Sequence, residues 1–200
     1  GETYLSMALN RNADNTSRLA DSIIYKWDGQ MFDAYQSIPT QGARDWESFE
    51  IGGVLYLALA NERNDDTRNV DSMLYRWDDG QEKFIEAQAI PTTGARDWES
   101  FAIGGATYLA VANQEDSDKA ENPRDIDSVI YKWDGTTFAP FQSILTHSAR
   151  DWESVAIGGK TYLAVANNQM GNTRTAQSMI YVWNSADAEF DEFQSVITYG

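Results

Sequence analysis

The chain has 200 residues, and 15 Lys and Arg against 31 Asp and Glu leave a formal charge of −16 at pH 7. A surface that negative repels phosphate backbones and argues against nucleic-acid binding. The absence of cysteine removes disulfides and thiol chemistry, and the single histidine, His147, has no partner for a His-based metal cluster.

The aromatic content, 7 Trp, 10 Tyr and 8 Phe, supplies the burial that a disordered chain lacks. No run of about 18 apolar residues offers a membrane span. The start, Gly1-Glu2-Thr3-Tyr4-Leu5, has neither a signal-peptide pattern nor an initiating methionine, so the chain reads as a mature or excised piece.

Taken in chain order, the predicted elements repeat. A Tyr-Leu pair opens a strand at Tyr4, Tyr56, Tyr108 and Tyr162. A Tyr-x-Trp run follows at Tyr25/Trp27, Tyr75/Trp77, Tyr131/Trp133 and Tyr181/Trp183. A Gln then stands at Gln36, Gln88, Gln142 and Gln194, and Asp-Trp-Glu-Ser begins at Asp45, Asp97 and Asp151, with spacings of 52 and 54 residues. Ile-Gly-Gly closes each of those three segments. Periods of this size belong to blades or to two-helix repeats. The period inside the repeat decides for strands: the runs are short, aromatic and β-branched, bounded by turn residues, and lack a 3.6-residue stripe. In the second repeat the strands are expected at 47–51, 55–60, 72–77 and 84–90. Asp28-Gly29, Asp79-Gly80 and Asp134-Gly135 signal hairpin turns, as do Gly52-Gly53 and its copies.

A four-stranded antiparallel sheet with apolar groups on both faces is not stable alone, and radial stacking of such sheets buries both faces. The fold class expected is therefore all-β, a β-propeller of four-stranded antiparallel blades, with a β-solenoid as the rival. The chain reads as one propeller domain or segment over residues 1–200, with repeats near 1–44, 45–96, 97–150 and 151–200. The first repeat lacks its Asp-Trp-Glu strand and has Leu9 where the others have Asn61, Asn113 and Asn167.

The strings Ala-Arg-Asp-Trp-Glu-Ser-Phe, Ile-Gly-Gly-x-x-Tyr-Leu-Ala-x-Ala-Asn and Ser-x-x-Tyr-x-Trp-Asp-Gly closely resemble the EAR (epilepsy-associated, epitempin, EPTP) repeat. The resemblance covers essentially the whole chain. It implies a propeller, typically of seven such repeats, in secreted or cell-surface proteins that act as adhesion or receptor-binding platforms and not as enzymes. With four repeats here, it also implies a ring completed by further repeats of a longer chain or by another chain, a homo-oligomer included.

Several residue sets could carry chemistry. Asp45, Glu47, Asp97, Glu99, Asp151 and Glu153 share strand faces by two-residue spacing and would converge near the channel mouth. Gathered carboxylates need compensation, and hard oxygen ligands suit Ca²⁺. The competing reading, weighed at roughly two to one in its favour, is a structural ring in which Arg44, Arg96 and Arg150 pair with the carboxylates. The loops between second and third strands are polar and unequal in length, as binding loops on a scaffold are. In them Asp65, Asp66, Glu115, Asp116 and Asp118 are the candidate binding residues. The repeated Tyr and Trp positions could stack sugars, which makes a multivalent lectin the alternative function, but inter-blade core is the stronger reading. A glycoside hydrolase using channel carboxylates ranks third, because repetition fits scaffolding better than paired acid and base. Asn15-Thr16-Ser17 is a single glycosylation sequon, and His147 reads as an exposed variation.

Overall fold

The computed structural model describes residues 2–171 and 173–199, and among them every regular element is a strand. The first sheet holds β1 (Tyr4–Met7), β2 (Leu19–Trp27) and β3 (Phe32–Gln41). The second holds β4 (Ala43–Ile51), β5 (Val54–Asn61), β6 (Asn69–Asp78) and β7 (Lys83–Thr93). The third holds β8 (Ala95–Ile103), β9 (Ala106–Asn113), β10 (Asp125–Trp133) and β11 (Phe138–His147). The fourth holds β12 (Ala149–Ile157), β13 (Lys160–Asn167), β14 (Thr175–Asn184) and β15 (Glu189–Tyr199). Each sheet is an antiparallel meander in chain order. The expected all-β class of four-stranded antiparallel sheets holds for three of the four, and the first has three strands, as the missing Asp-Trp-Glu segment requires. The strands run longer than expected at both ends, because hydrogen-bonded pairing continues past the apolar runs.

The chain divides into two compact units, Gly1–Ala95 and Arg96–Gly200, each built on two sheets. In the first unit Ile24, Ile38, Leu57, Leu59, Tyr75 and Phe84 form one buried cluster spanning both sheets. In the second, Phe101, Ile130, Trp152, Leu163, Tyr181 and Phe190 do the same. Each such side chain contributes about 1.5–3 kcal/mol when fully buried. Two sheets sharing one core thus answer the instability of either alone.

Two kinds of turn join the strands. Gly52 and Gly53 both have positive φ, 59° and 81°, which is what a two-residue hairpin between Ile51 and Val54 demands. The Asp-Gly turns are hairpins as expected, with longer loops. Trp27 pairs with Phe32, so Asp28–Met31 is a four-residue loop in which the Asp28 carboxylate accepts the N–H groups of Gln30 and Met31. Aspartate here acts as a cap, and these bonds hold its carboxyl below the usual range, the Met31 bond most.

Bulges recur at two places. One falls opposite Tyr25, Tyr75, Tyr131 and Tyr181, just before the repeated Gln. The other makes Arg44 and Arg150 extra residues on β4 and β12. A bulge re-aims side chains next to it; the first lies beside contacts between sheets and the second beside contacts within one sheet.

Candidate functional site

Several of the side chains singled out in the sequence are turned on the protein's own backbone. Asp97 and Glu99 lie on β8. Asp97 Oδ2 accepts the Trp152 N–H at 2.9 Å, and Glu99 Oε1 accepts the Ser154 N–H at 2.9 Å. Both donors are on β12, the first strand of the next sheet, so the two carboxylates form a side-chain ladder between neighbouring first strands. Trp152, itself buried, returns a bond from Nε1 to the Val111 carbonyl at 2.9 Å. Asp45 and Glu47 hold the matching positions on β4. Asp151 and Glu153 hold them on β12 and are exposed. Exposed as the residue is, the neighbouring protein partly desolvates its carboxyl and, with Glu153 adding like charge, pushes the Asp151 carboxyl up from its usual value. Among the described residues, no three carboxylate or imidazole groups are placed to hold a metal ion.

Each arginine before an aspartate reaches a polar side chain of its own blade. The bulge turns Arg44 to the residue eighteen positions on, and its Nε donates to Glu62 Oε2 at 2.5 Å. Arg96 donates to Gln114 in the same way, and Arg150 Nη2 donates to Asn168 Oδ1 at 2.9 Å. Arg44, Arg96 and Arg150 thus each bracket their own sheet, Arg44 through a carboxylate and the other two through side-chain amides. Glu62 is 1% exposed and also takes Arg68 at 2.5 Å, so one buried carboxylate faces two guanidinium groups.

Sequence reasoning noted Gln and Asn without finding their use. Gln36 clasps Phe84 with both arms: Nε2 donates to its carbonyl at 2.8 Å, and Oε1 accepts its N–H at 2.9 Å. Gln142 clasps Phe190 identically, at 3.0 and 2.8 Å. Asn61 accepts the Gln41 N–H and donates to the Asp71 carbonyl, which ties the first sheet to the second. Asn167 does so with His147 and Gln177. A buried Ser–Thr pair crosses the third and fourth strands at Ser22/Thr40, Ser72/Thr92 and Ser128/Thr146. The signal for all of these was their strict recurrence.

Some of the repeated aromatics lie between sheets, while Trp27 is 41% exposed and packs on Phe32 of its own sheet. Tyr4 packs on Trp77 at 5.3 Å, and Tyr108 on Trp183 at 5.8 Å, as core and not as open stacking platforms. Leu9 takes the Asn position with no slip in register, because its N–H meets Ser22 Oγ just as the Asn61 N–H meets Ser72 Oγ. His147 is half-buried, with Nδ1 at 2.7 Å from Asp125 Oδ1, so it is a paired residue and not an exposed variation.

The loop carboxylates divide. Asp65 accepts from Ser17 Oγ and the Arg18 N–H, both at 2.6 Å, and latches the first loop to the second. The Ser17 bond, then the Arg18 bond, holds its carboxyl below the usual range. Asp116 shapes its own loop by accepting the Asp118 N–H, and Glu115 meets Arg124 at 3.5 Å. Asp66 and Asp118 are exposed.

The repeat read from these residues has a match. The family model of the EPTP domain fits three times, over 31–78, 83–134 and 137–184. The chain belongs to the EPTP domain family. Its repeats are propeller blades, and each EPTP match runs from the fourth strand of one blade through the third strand of the next. The chain is 40% identical over 168 residues, 83% of its length, to the thrombospondin-type laminin G domain and EAR repeat-containing protein of Homo sapiens, and 39% identical to that of Mus musculus. It is 30% identical over 91 residues, 46% of its length, to leucine-rich repeat LGI family member 3 of Macaca fascicularis. The chain spans about a quarter of the two EAR repeat-containing relatives, 24% and 25%. Among solved structures, a GH43_1 enzyme from Xanthomonas citri matches 98% of this chain and 70% of its own at 13% identity, with a TM-score of 0.60. A mutant of the GH32 β-fructofuranosidase of Bombyx mori matches 86% of this chain and 43% of its own at 12% identity, with a TM-score of 0.50. At such identities the likeness is one of fold.

Proposed function

We propose that this EPTP chain is a non-enzymatic protein-binding platform, secreted or on the cell surface, that meets its partner through the exposed acidic loops between second and third strands. The observation that carries this reading is a division of labour among polar groups. Asp97, Glu99, Gln36, Gln142, Asn61 and Asn167 are engaged with backbone of the neighbouring blade, whereas Asp66 and Asp118 stand in loops with exposed carboxylates. Catalysis by paired carboxylates needs groups of unlike environment and role, and those on β8 share one structural task. A charge of −16 steers encounter toward basic surfaces. The family and its EAR-repeat and LGI relatives support an interaction role.

The test is binding of the fluorescently labelled chain to intact animal cells. Saturable binding is expected that falls with rising salt, disappears after protease treatment of the cells, and weakens several-fold with Asp66→Lys combined with Asp118→Lys. Binding that survives protease and is displaced by free sugars would make the chain a lectin and overturn the proposal.

A further inference from the structure

The repeat departs from itself at the base of the loops that lead into β2 and β6. Asn10 stands where the later blades have Glu62, Gln114 and Asn168, and the residue after it is Arg11, Arg63, Glu115 and Gln169 in turn. In the third blade that residue, Glu115, meets Arg124 at 3.5 Å. In the first two blades it is itself an arginine. The guanidinium groups of Arg11, Arg18, Arg44 and Arg63 therefore gather there, within electrostatic reach of one another and of Glu62. Hydrogen bonds fix the gathering. Arg18 donates to Asn10 Oδ1, and Asn10 Nδ2 donates to the Gly42 carbonyl at 3.0 Å. The Gly42 N–H donates to the Arg18 carbonyl at 2.7 Å, and the Arg63 N–H to the Gln41 carbonyl at 3.2 Å. Only glycine fits this crossing, because φ is 61° and a Cβ would meet the Arg63 carbonyl at 2.7 Å.

Charge compensation is uneven. Glu62 takes Arg44 and Arg68. Arg11, Arg18 and Arg63 are held by neutral acceptors: the Asn15 carbonyl at 3.2 Å, the Asn10 amide oxygen, and the Asn64 carbonyl at 3.1 Å. Asp65 is near enough to feel Arg63 and Arg11, but its oxygens accept Ser17 Oγ and the Arg18 N–H. Burial, then like charge from Arg11, lowers the Arg18 guanidinium from its usual value; Glu62 opposes this, and Arg44 and Arg63 add to it.

We propose that Arg11, Arg18 and Arg63 bind a phosphate or sulfate group, as the free ion or as a small ester. An arginine fork pairs with two oxygens at once. Three forks exceed what a carboxylate offers, one charge and two oxygens. They match a tetrahedral group of about two charges and three acceptor oxygens. An extended polyanion is not the occupant, because an overall charge of −16 repels a long line of phosphates. The site uses none of the exposed carboxylates assigned to the protein partner and stands whether or not those bind one.

The test is phosphorus NMR of inorganic phosphate and of glycerol phosphate, each titrated with the full chain while sodium chloride holds the ionic strength. Saturable line broadening is expected, and the compound that binds more tightly names the source of the group. Sulfate is expected to reverse the broadening, and succinate at the same ionic strength to leave it. Arg11→Gln combined with Arg63→Gln is expected to weaken binding about tenfold or more, because charge-assisted hydrogen bonds are lost. The melting temperature of this variant in chloride buffer reports folding and is expected not to fall, since two like charges leave a crowded cluster. Should the pair of substitutions prevent folding, Arg11→Gln alone, at an exposed position, carries the test with a several-fold loss expected. No saturable broadening, full binding by a folded variant, or displacement by succinate as strong as by sulfate would each overturn the proposal.

Discussion

Replacing Glu62 by alanine is expected to destabilise the first unit by about 3–5 kcal/mol, the cost of breaking a buried ion pair from one side. Glu62 holds Arg44, the extra residue of the β4 bulge, and Arg68 from the loop before β6, each at 2.5 Å, and Asn10 Nδ2 lies 3.3 Å from it. Its removal leaves the partly exposed guanidinium groups of Arg44 and Arg68 without their shared anion. For a unit of this size the loss is on the order of 10 °C in Tm or more. Glu62→Gln is expected to cost less, roughly 1–2 kcal/mol, because the third blade already works with Gln114 against Arg96. Urea unfolding followed by tryptophan fluorescence measures both. An alanine variant as stable as the parent would show that the node is decorative.

Two aspartates at the same place in the repeat are expected to respond with opposite sign. Asp97→Ala removes a charged acceptor from the Trp152 N–H and should lower stability by about 1.5–3 kcal/mol. Asp151→Asn should raise it. Partial desolvation first, and Glu153 second, hold the Asp151 carboxyl above the usual aspartate value of 3.8, so folding favours its protonated form. The stability this group lends is therefore complete below that usual value and is lost as pH climbs through the raised one. At neutral pH the charged carboxylate costs stability, and the amide does not. Solvent screening keeps the gain to about 1 kcal/mol or less, roughly 2–4 °C in Tm at most. The gain should vanish in melts run well below pH 4. A stabilisation that persists there would assign it to some cause other than charge.

Much of the fold was legible because its units repeat. Tyr-x-Trp, the Gly pairs and Asp-Trp-Glu-Ser recur at fixed offsets, and period-two runs between turn residues leave few alternatives to stacked antiparallel blades. Leu9 was legible as the odd residue of its column, and the structure keeps it in register. The partners were not legible. Which side chain an arginine meets depends on the bulge that displaces Arg44, and bulges leave no mark in hydrophobic alternation. Asp-Trp-Glu suggested convergence on an axis because the one-dimensional pattern shows carboxylates sharing a strand face. It does not show that the next blade's N–H groups lie within reach. Gln142 is equally silent in sequence, since an amide that clasps backbone in another blade looks like any surface glutamine.

The central claim is that Asp97 and Glu99 are ladder partners of a neighbouring strand's backbone. The most direct measurement is a pH titration of the Trp152 and Ser154 backbone amide resonances by NMR, with and without excess Ca²⁺. The account predicts that both signals shift as Asp97 and Glu99 are protonated, that Asp97→Asn abolishes the response at Trp152 alone, and that Ca²⁺ moves neither. Amides indifferent to that titration, or displaced by Ca²⁺ at neutral pH, would contradict it.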